Sequence, residues 1–94
     1  IEIRKTETFV KWLDGLDDIR ARARILGGLK LAQGNPGDVK PVGEGVSELR
    51  IDYGPGYRVY YKKQGQAIVI LLAGGDKRTQ SRNIKTALRL AGNL

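Results

Sequence analysis

The sequence predicts an α+β domain in the order β-α-α-β-β-β-α, with helices packed on one face of a largely antiparallel sheet. Two segments with helical periodicity lie early in the chain, three segments with a two-residue alternation fill its middle, and a third helical segment closes it. At 94 residues there is room for one core, so residues 1–94 are expected to form a single domain.

"IEIR" alternates and predicts a short first strand. In "TETFVKWLDGL", Thr6 is the expected N-cap, Phe9, Leu13 and Leu16 share a helical face, and Gly15 ends the helix. "DDIRARARILGGLKLAQ" begins at an aspartate cap and presents Ile19, Ala23, Ile25, Leu26, Leu29 and Ala32 as one broad apolar stripe. Gly27 and Gly28 weaken that helix by roughly 1 kcal/mol each relative to alanine, and close contact with the first helix would explain their presence. Gly34, Asn35 and Pro36 are expected to stop it. Residues 46–53 then place Leu49, Ile51 and Tyr53 on one side and Glu48, Arg50 and Asp52 on the other. "GPG" supplies a turn, "YRVYYKK" alternates again, and "AIVILLA" is apolar on both sides, as a central strand would be. The last helix is expected to open near Thr79 and to bury Ile84, Ala87, Leu88 and Ala91.

The composition excludes several chemistries. Histidine and cysteine are absent, which removes Ser-His-Asp triads, Cys-His pairs, thiolate chemistry and His-rich zinc sites. No metal and no cofactor is expected. There is no apolar run long enough to span a membrane and no secretory signal, since residues 1–16 carry charge throughout; a cytoplasmic protein is the expectation, and the lack of methionine at Ile1 implies a removed initiator.

Charge is unevenly placed. The net charge is +7, and residues 45–94 hold nine basic against three acidic side chains. "AGGDKRTQSRN", directly after the most apolar strand, brings Lys77, Arg78 and Arg82 together. The outer side of the sheet adds Arg50, Arg58, Tyr60 and Lys62. Such a single-sign surface points to a polyanion, RNA above all, with a solvated basic surface as the alternative. Within this stretch Gly74 and Gly75 would let the backbone turn sharply or come close to a ligand, Asp76 or Thr79 would cap the last helix, and the N–H groups there would favour an anion. The spacing of a nucleotide-binding P-loop is missing.

"ELRIDYGPGYRVYY" followed by "IVILLAGGDKRTQSRNIKTAL" closely resembles the RelE/ParE superfamily of type II toxin–antitoxin toxins, and its HigB-like "addiction module killer" branch most nearly. The likeness runs from "FVKWLDGL" to the final helix. It rests on E-L-R, G-Y-R-V-Y-Y and G-G-D-K-x-T-Q in that order. The resemblance implies a toxin held inactive by a cognate antitoxin protein in a hetero-oligomer. Its target would be mRNA on the ribosome, as for RelE and HigB relatives, or DNA gyrase, as for ParE relatives; a plain nucleic-acid-binding module without toxicity is the third reading.

By the same resemblance Arg58 matches the strand arginine set against the scissile phosphate. Arg50 matches the arginine of the preceding strand, and Lys77 sits near a second arginine of those enzymes. The chain departs from them in having no tyrosine after Tyr61 and no lysine pair on the Arg50 strand. Arg50 and Arg58 are therefore candidates for gripping phosphate. Tyr60, Lys77 and Glu48 are candidates for proton transfer, with clustered cations expected to lower the pKa of Tyr60 and Lys77. Lys62, Arg78 and Arg82 are candidate RNA contacts. An ordinary cross-strand pair of Arg58 with Glu48 or Asp52 is the competing reading, and Trp12 is expected in the core or against the antitoxin.

Overall fold

The protein is described by a computed structural model covering residues 2–32 and 38–94. Its elements are β1 (Glu2–Lys5), α1 (Glu7–Asp14), α2 (Ile19–Ala32), β2 (Val39–Gly43), β3 (Val46–Ile51), β4 (Tyr57–Gln64), β5 (Ile68–Gly75), a 3-10 turn (Lys77–Thr79) and α3 (Gln80–Gly92). The strands form one sheet in the order β1-β5-β4-β3-β2, antiparallel except where β1 runs parallel to β5. The α+β class and the largely antiparallel sheet are those expected. The expected stop of α2 at Gly34, Asn35 and Pro36 lies outside the described residues.

One strand was not anticipated. β2 is five residues long and contains Pro41, which obscures its alternation. Proline cannot donate to a ladder, but β2 is an edge strand and needs only one paired side. It pairs with β3 through Lys40 opposite Glu48, and its register shifts between Pro41 and Gly43 before a turn through Glu44.

The caps explain the helix starts. Thr6 Oγ1 accepts from the Phe9 N–H at 3.1 Å and donates to the Leu72 carbonyl at 2.7 Å, so it both caps α1 and ties it to β5. Asp18 Oδ1 accepts from Arg20 N at 2.9 Å and opens α2. Asp76 and Thr79 form a reciprocal capping box before α3.

α1 and α2 cover one face of the sheet, where Phe9, Leu13 and Ile25 meet Leu49, Ile51, Val59, Tyr61, Val69 and Leu71. Residues of the opposite parity, Val46, Tyr60, Ile70 and Leu72, gather around Ala87 and Ala91 of α3. β5 is apolar throughout because it meets helices from both directions. Burying each large side chain contributes about 1.5–3 kcal/mol.

Four glycines are explained by their surroundings. Gly28 closes on Ile51 of β3 and not on α1, since the Ile51 Cδ1 atom stands where a Cβ would sit, while Gly27 faces open space. Gly74 lies under the Trp12 ring, and Gly75 under Asn83 and Thr79 of the α3 start. Both glycines make room for internal packing. Trp12 is half-buried, 5.8 Å from the Phe9 ring centre and 6.1 Å from that of Tyr57.

Candidate anion-binding site

The site is built by register. Across β2, β3 and β4, Lys40, Glu48 and Tyr60 form one row, and Arg50 and Arg58 form the next. Asp38, Val39, Lys40, Glu48, Arg50 and Arg58 line an open cleft of about 210 Å³. Three cations and two carboxylates thus face one opening.

Arg58 is the fixed point. It is 8% exposed. Gly56, held at φ +80°, offers its carbonyl to Arg58 Nη1 at 2.8 Å, so the turn between β3 and β4 pins the guanidinium. Arg58 Nε lies 3.8 Å from Glu48 Oε1, too far for a hydrogen bond, and this buried N–H has no hydrogen-bond partner among the described residues. An unmade bond of this kind costs about 1–3 kcal/mol, and more on a charged group. Arg50 stands directly opposite Arg58, and like charges across a strand pair are unfavourable. Arg50 is exposed and meets Asp38 only at 3.8 Å, a surface contact that contributes about 0–1 kcal/mol. An anion entering the cleft would relieve the repulsion between the two guanidinium groups.

Glu48 is the hub. Its Oε2 accepts from the Tyr60 hydroxyl at 2.8 Å and from Gln80 Nε2 at 2.9 Å, while Oε1 has Lys40 Nζ at 3.6 Å. Burial pushes the Glu48 carboxyl up, but the bonds from Gln80 and Tyr60 and the charges of Lys40 and Arg58 outweigh it, leaving it below the usual value. Tyr60 moves opposite to expectation. It is fully buried, and burial, then the bond to the Glu48 carboxylate and its charge, raise its pKa far above the ordinary tyrosine value, with Arg58 opposing weakly. The Tyr60 hydroxyl thus holds the Glu48 carboxylate from within the sheet, and its buried setting favours the protonated form.

The other expected residues fall elsewhere. Lys77 is exposed beside the turn, where Arg58 Nη1 and Lys77 Cβ lie 3.4 and 3.8 Å from the place a Gly56 Cβ would take. Arg78 pairs with Asp76 at 3.2 Å. Asp76 also accepts from the N–H groups of Arg78 and Thr79, so the helix terminus expected to hold an anion is already capped by a carboxylate. Burial alone would raise Asp76, yet its bonds from Arg78 keep its pKa below the usual value. Arg82 is exposed on α3. Lys62 lies four residues along β4 from Arg58, roughly 13 Å away, beside Gly45. None of Lys62, Lys77, Arg78 and Arg82 lines the cleft.

Lys40, Asp38 and Gln80 were not anticipated. Lys40 and Asp38 come with the unrecognised β2, whereas Gln80 was visible as the last letter of G-G-D-K-x-T-Q, a motif read for its cations alone. Among the described residues no three potential metal ligands gather, and no helix is long and apolar enough to cross a membrane.

Comparison with known proteins identifies the fold and the family. The fold is that of E. coli RelE. The chain superposes on a chain of the intact E. coli RelBE toxin–antitoxin complex with a TM-score of 0.66 at 15% identity, covering 80% of this chain and 94% of that one. A substituted E. coli toxin RelE in the free state gives 0.69 at 15% identity, over 89% and 94%. An uncharacterised protein of Haemophilus influenzae is 53% identical over 95 residues, spanning 100% of this chain and 96% of its own length. Residues 11–93 match the family described as phage-derived protein Gp49-like (DUF891). With nearly its whole length matched, the chain belongs to the Gp49-like family.

Proposed function

We propose that this chain is the toxin of a type II toxin–antitoxin system, a HigB-like member of the RelE/ParE superfamily that acts in the cytoplasm by cleaving mRNA on the ribosome. The observation that carries the reading is the Arg50–Arg58 pair, two guanidinium groups in direct cross-strand register at one open cleft. The RelE fold, seen in a protein crystallised with an antitoxin, supports a protein partner of the same kind.

In the proposed reaction the ribose 2′-oxygen attacks phosphorus, a 2′,3′-cyclic phosphate forms and the P–O5′ bond breaks. Arg58 and Arg50 hold the phosphate oxygens as negative charge builds, a contribution of roughly 3–4 kcal/mol for a well-placed donor. Glu48 Oε1, which accepts no hydrogen bond among the described residues, takes the 2′ proton, and Lys40, 3.6 Å away, delivers one to the 5′-oxygen. The depressed pKa of Glu48 makes it a weak base, so ribosomal positioning of the message has to supply much of the rate.

One observation favours a second reading, a non-enzymatic ParE-like gyrase poison. The tyrosine on the expected strand is sealed beneath the sheet and resists ionisation. Inducible expression followed by mapping of mRNA 5′ ends separates the two. Codon-associated cuts that vanish in Arg58→Ala, together with relief of growth arrest, support the ribonuclease. Intact messages with gyrase-linked DNA breaks support the poison. Full toxicity of a folded Arg58→Ala protein removes the proposed role of the cleft.

A further inference from the structure

Helix α2 leaves part of its apolar surface uncovered. The broad stripe expected from sequence is split, because Ala21 and Ile25 are buried and Gly28 closes on Ile51. Ile19, Ala23 and Leu26 are thereby left outside, at i, i+4 and i+7, with Ile19 80% and Leu26 47% exposed. Seven residues of helix span roughly 10 Å, about two turns.

Alongside this stripe Arg20, Ala23, Arg24 and Tyr53 line a groove of about 450 Å³. The Arg24 guanidinium carbon lies 5.3 Å from the Tyr53 ring centre, and the Tyr53 hydroxyl donates to Asp18 Oδ2 at 3.0 Å, so the groove wall is held in place. Asp18 is occupied by that bond and by the N–H groups of Arg20 and Ala21. Arg22 has Asp14 at 3.5 Å, whereas among the described residues neither Arg20 nor Arg24 has a carboxylate within ion-pair distance.

We propose that this face of α2 is the anchor for an amphipathic, acidic helical segment of the antitoxin. The partner sets apolar side chains on Ile19, Ala23 and Leu26 and places Asp or Glu against Arg20 and Arg24. The inference rests on the toxin–antitoxin reading and goes beyond it by naming the surface and the chemistry of the segment. Charge complementarity selects an acidic partner, and the aliphatic stripe selects a protein over RNA, whose outer surface is phosphate and ribose and offers no apolar face to match it. α2 lies on the opposite face of the sheet from the Arg58 cleft. A segment bound here holds the toxin without covering the cleft, so binding and toxicity are separable by mutation.

The test uses the protein whose co-expression relieves growth arrest, purified and titrated calorimetrically into toxin made non-toxic by Arg58→Ala. Ile19→Glu with Leu26→Glu is expected to weaken binding roughly 30-fold or more, the scale of a lost interface anchor. Arg20→Glu with Arg24→Glu should weaken it about 10-fold or more, with recovery when Asp or Glu residues of the partner segment are changed to Lys. In the otherwise native chain both double variants should stay toxic and escape neutralisation. All four positions lie at the surface, and an unchanged melting temperature confirms that the variants fold. Unchanged affinity in both double variants overturns the inference while leaving the toxin reading intact. Loss of toxicity in Arg20→Glu with Arg24→Glu, with neutraliser binding retained, also overturns it and makes the groove an RNA or ribosome contact. A toxic chain for which no protein neutraliser exists overturns the inference and the antitoxin reading together.

Discussion

The two faces of the sheet are organised by different chemistry. On the α1–α2 face Leu49, Ile51, Val59, Tyr61, Val69 and Leu71 of β3, β4 and β5 form an apolar core, and Phe9, Leu13 and Ile25 fill the space above them. On the other face the apolar cluster around Ala87 and Ala91 gives way, within the same strands, to Glu48 and Arg58 over the Tyr60 hydroxyl. The first face removes water and gains stability in proportion to area. The second removes water from charges, which gains little net stability but holds a guanidinium in one position. Their pairing teaches that a small domain can carry a strained, under-bonded cation if the opposite side of the same strands supplies the core.

The comparison breaks most visibly at Phe9. Phe9→Ala on the apolar face should cost about 3–5 kcal/mol, a large part of the stability of a domain this small. Urea denaturation would show a lower midpoint with the slope preserved. On the charged face Glu48→Gln keeps the shape and removes the charge, leaving Arg58 without its carboxylate, and should cost about 3 kcal/mol. The same change predicts a pH effect. The Glu48 pKa is lowered by folding, so its contribution is present above the unfolded value near 4.5 and is lost as pH falls through the lower folded value. Stability measured from pH 6 downward should therefore fall less steeply in Glu48→Gln than in the native chain.

The charged face was more legible in the sequence than the details that make it work. Alternation in "VSELRIDY" and "YRVYYKK" sets Arg50, Arg58 and Tyr60 to one side, because parity along a strand is local. What parity cannot supply is which groups arrive from other elements. Gln80 from α3 and Lys40 from a proline-containing edge strand turn Glu48 into a hub, and only the assembled register brings them there. Tyr60 was misread for a related reason. The reading counted nearby cations and left out burial, which dominates. On α2 the apolar residues are so numerous that periodicity fits two faces, and the contact of Gly28 with Ile51 selects between them.

Gly74 offers a sharper, smaller probe of the apolar side. The Trp12 ring occupies the place of a Cβ there, so Gly74→Ala forces the indole or β5 to move and should cost about 1–3 kcal/mol. Tryptophan fluorescence would report it directly, since Trp12 is the sole indole. A neutral result would mean that the ring has room to slide, and that α1 is held mainly by Phe9 and Leu13.

The smallest effect on stability should accompany one of the clearer effects on binding. Arg50 is exposed and its contact with Asp38 is long, so Arg50→Gln should leave the unfolding free energy unchanged within about 0.5 kcal/mol. Removing it also removes the repulsion across the strand from Arg58, which works in the stabilising direction. Yet if Arg50 grips phosphate, binding to a single-stranded RNA oligonucleotide should weaken, and the slope of log affinity against log salt should become shallower by roughly 0.7, the value for one lost contact on a single strand. Arg78→Gln serves as the control, because Arg78 lies outside the cleft lining and pairs with Asp76. Equal losses in the two variants would mean that RNA senses the overall positive charge. A loss confined to Arg50→Gln ties binding to the row that Arg50 shares with Arg58, where stability has least to lose.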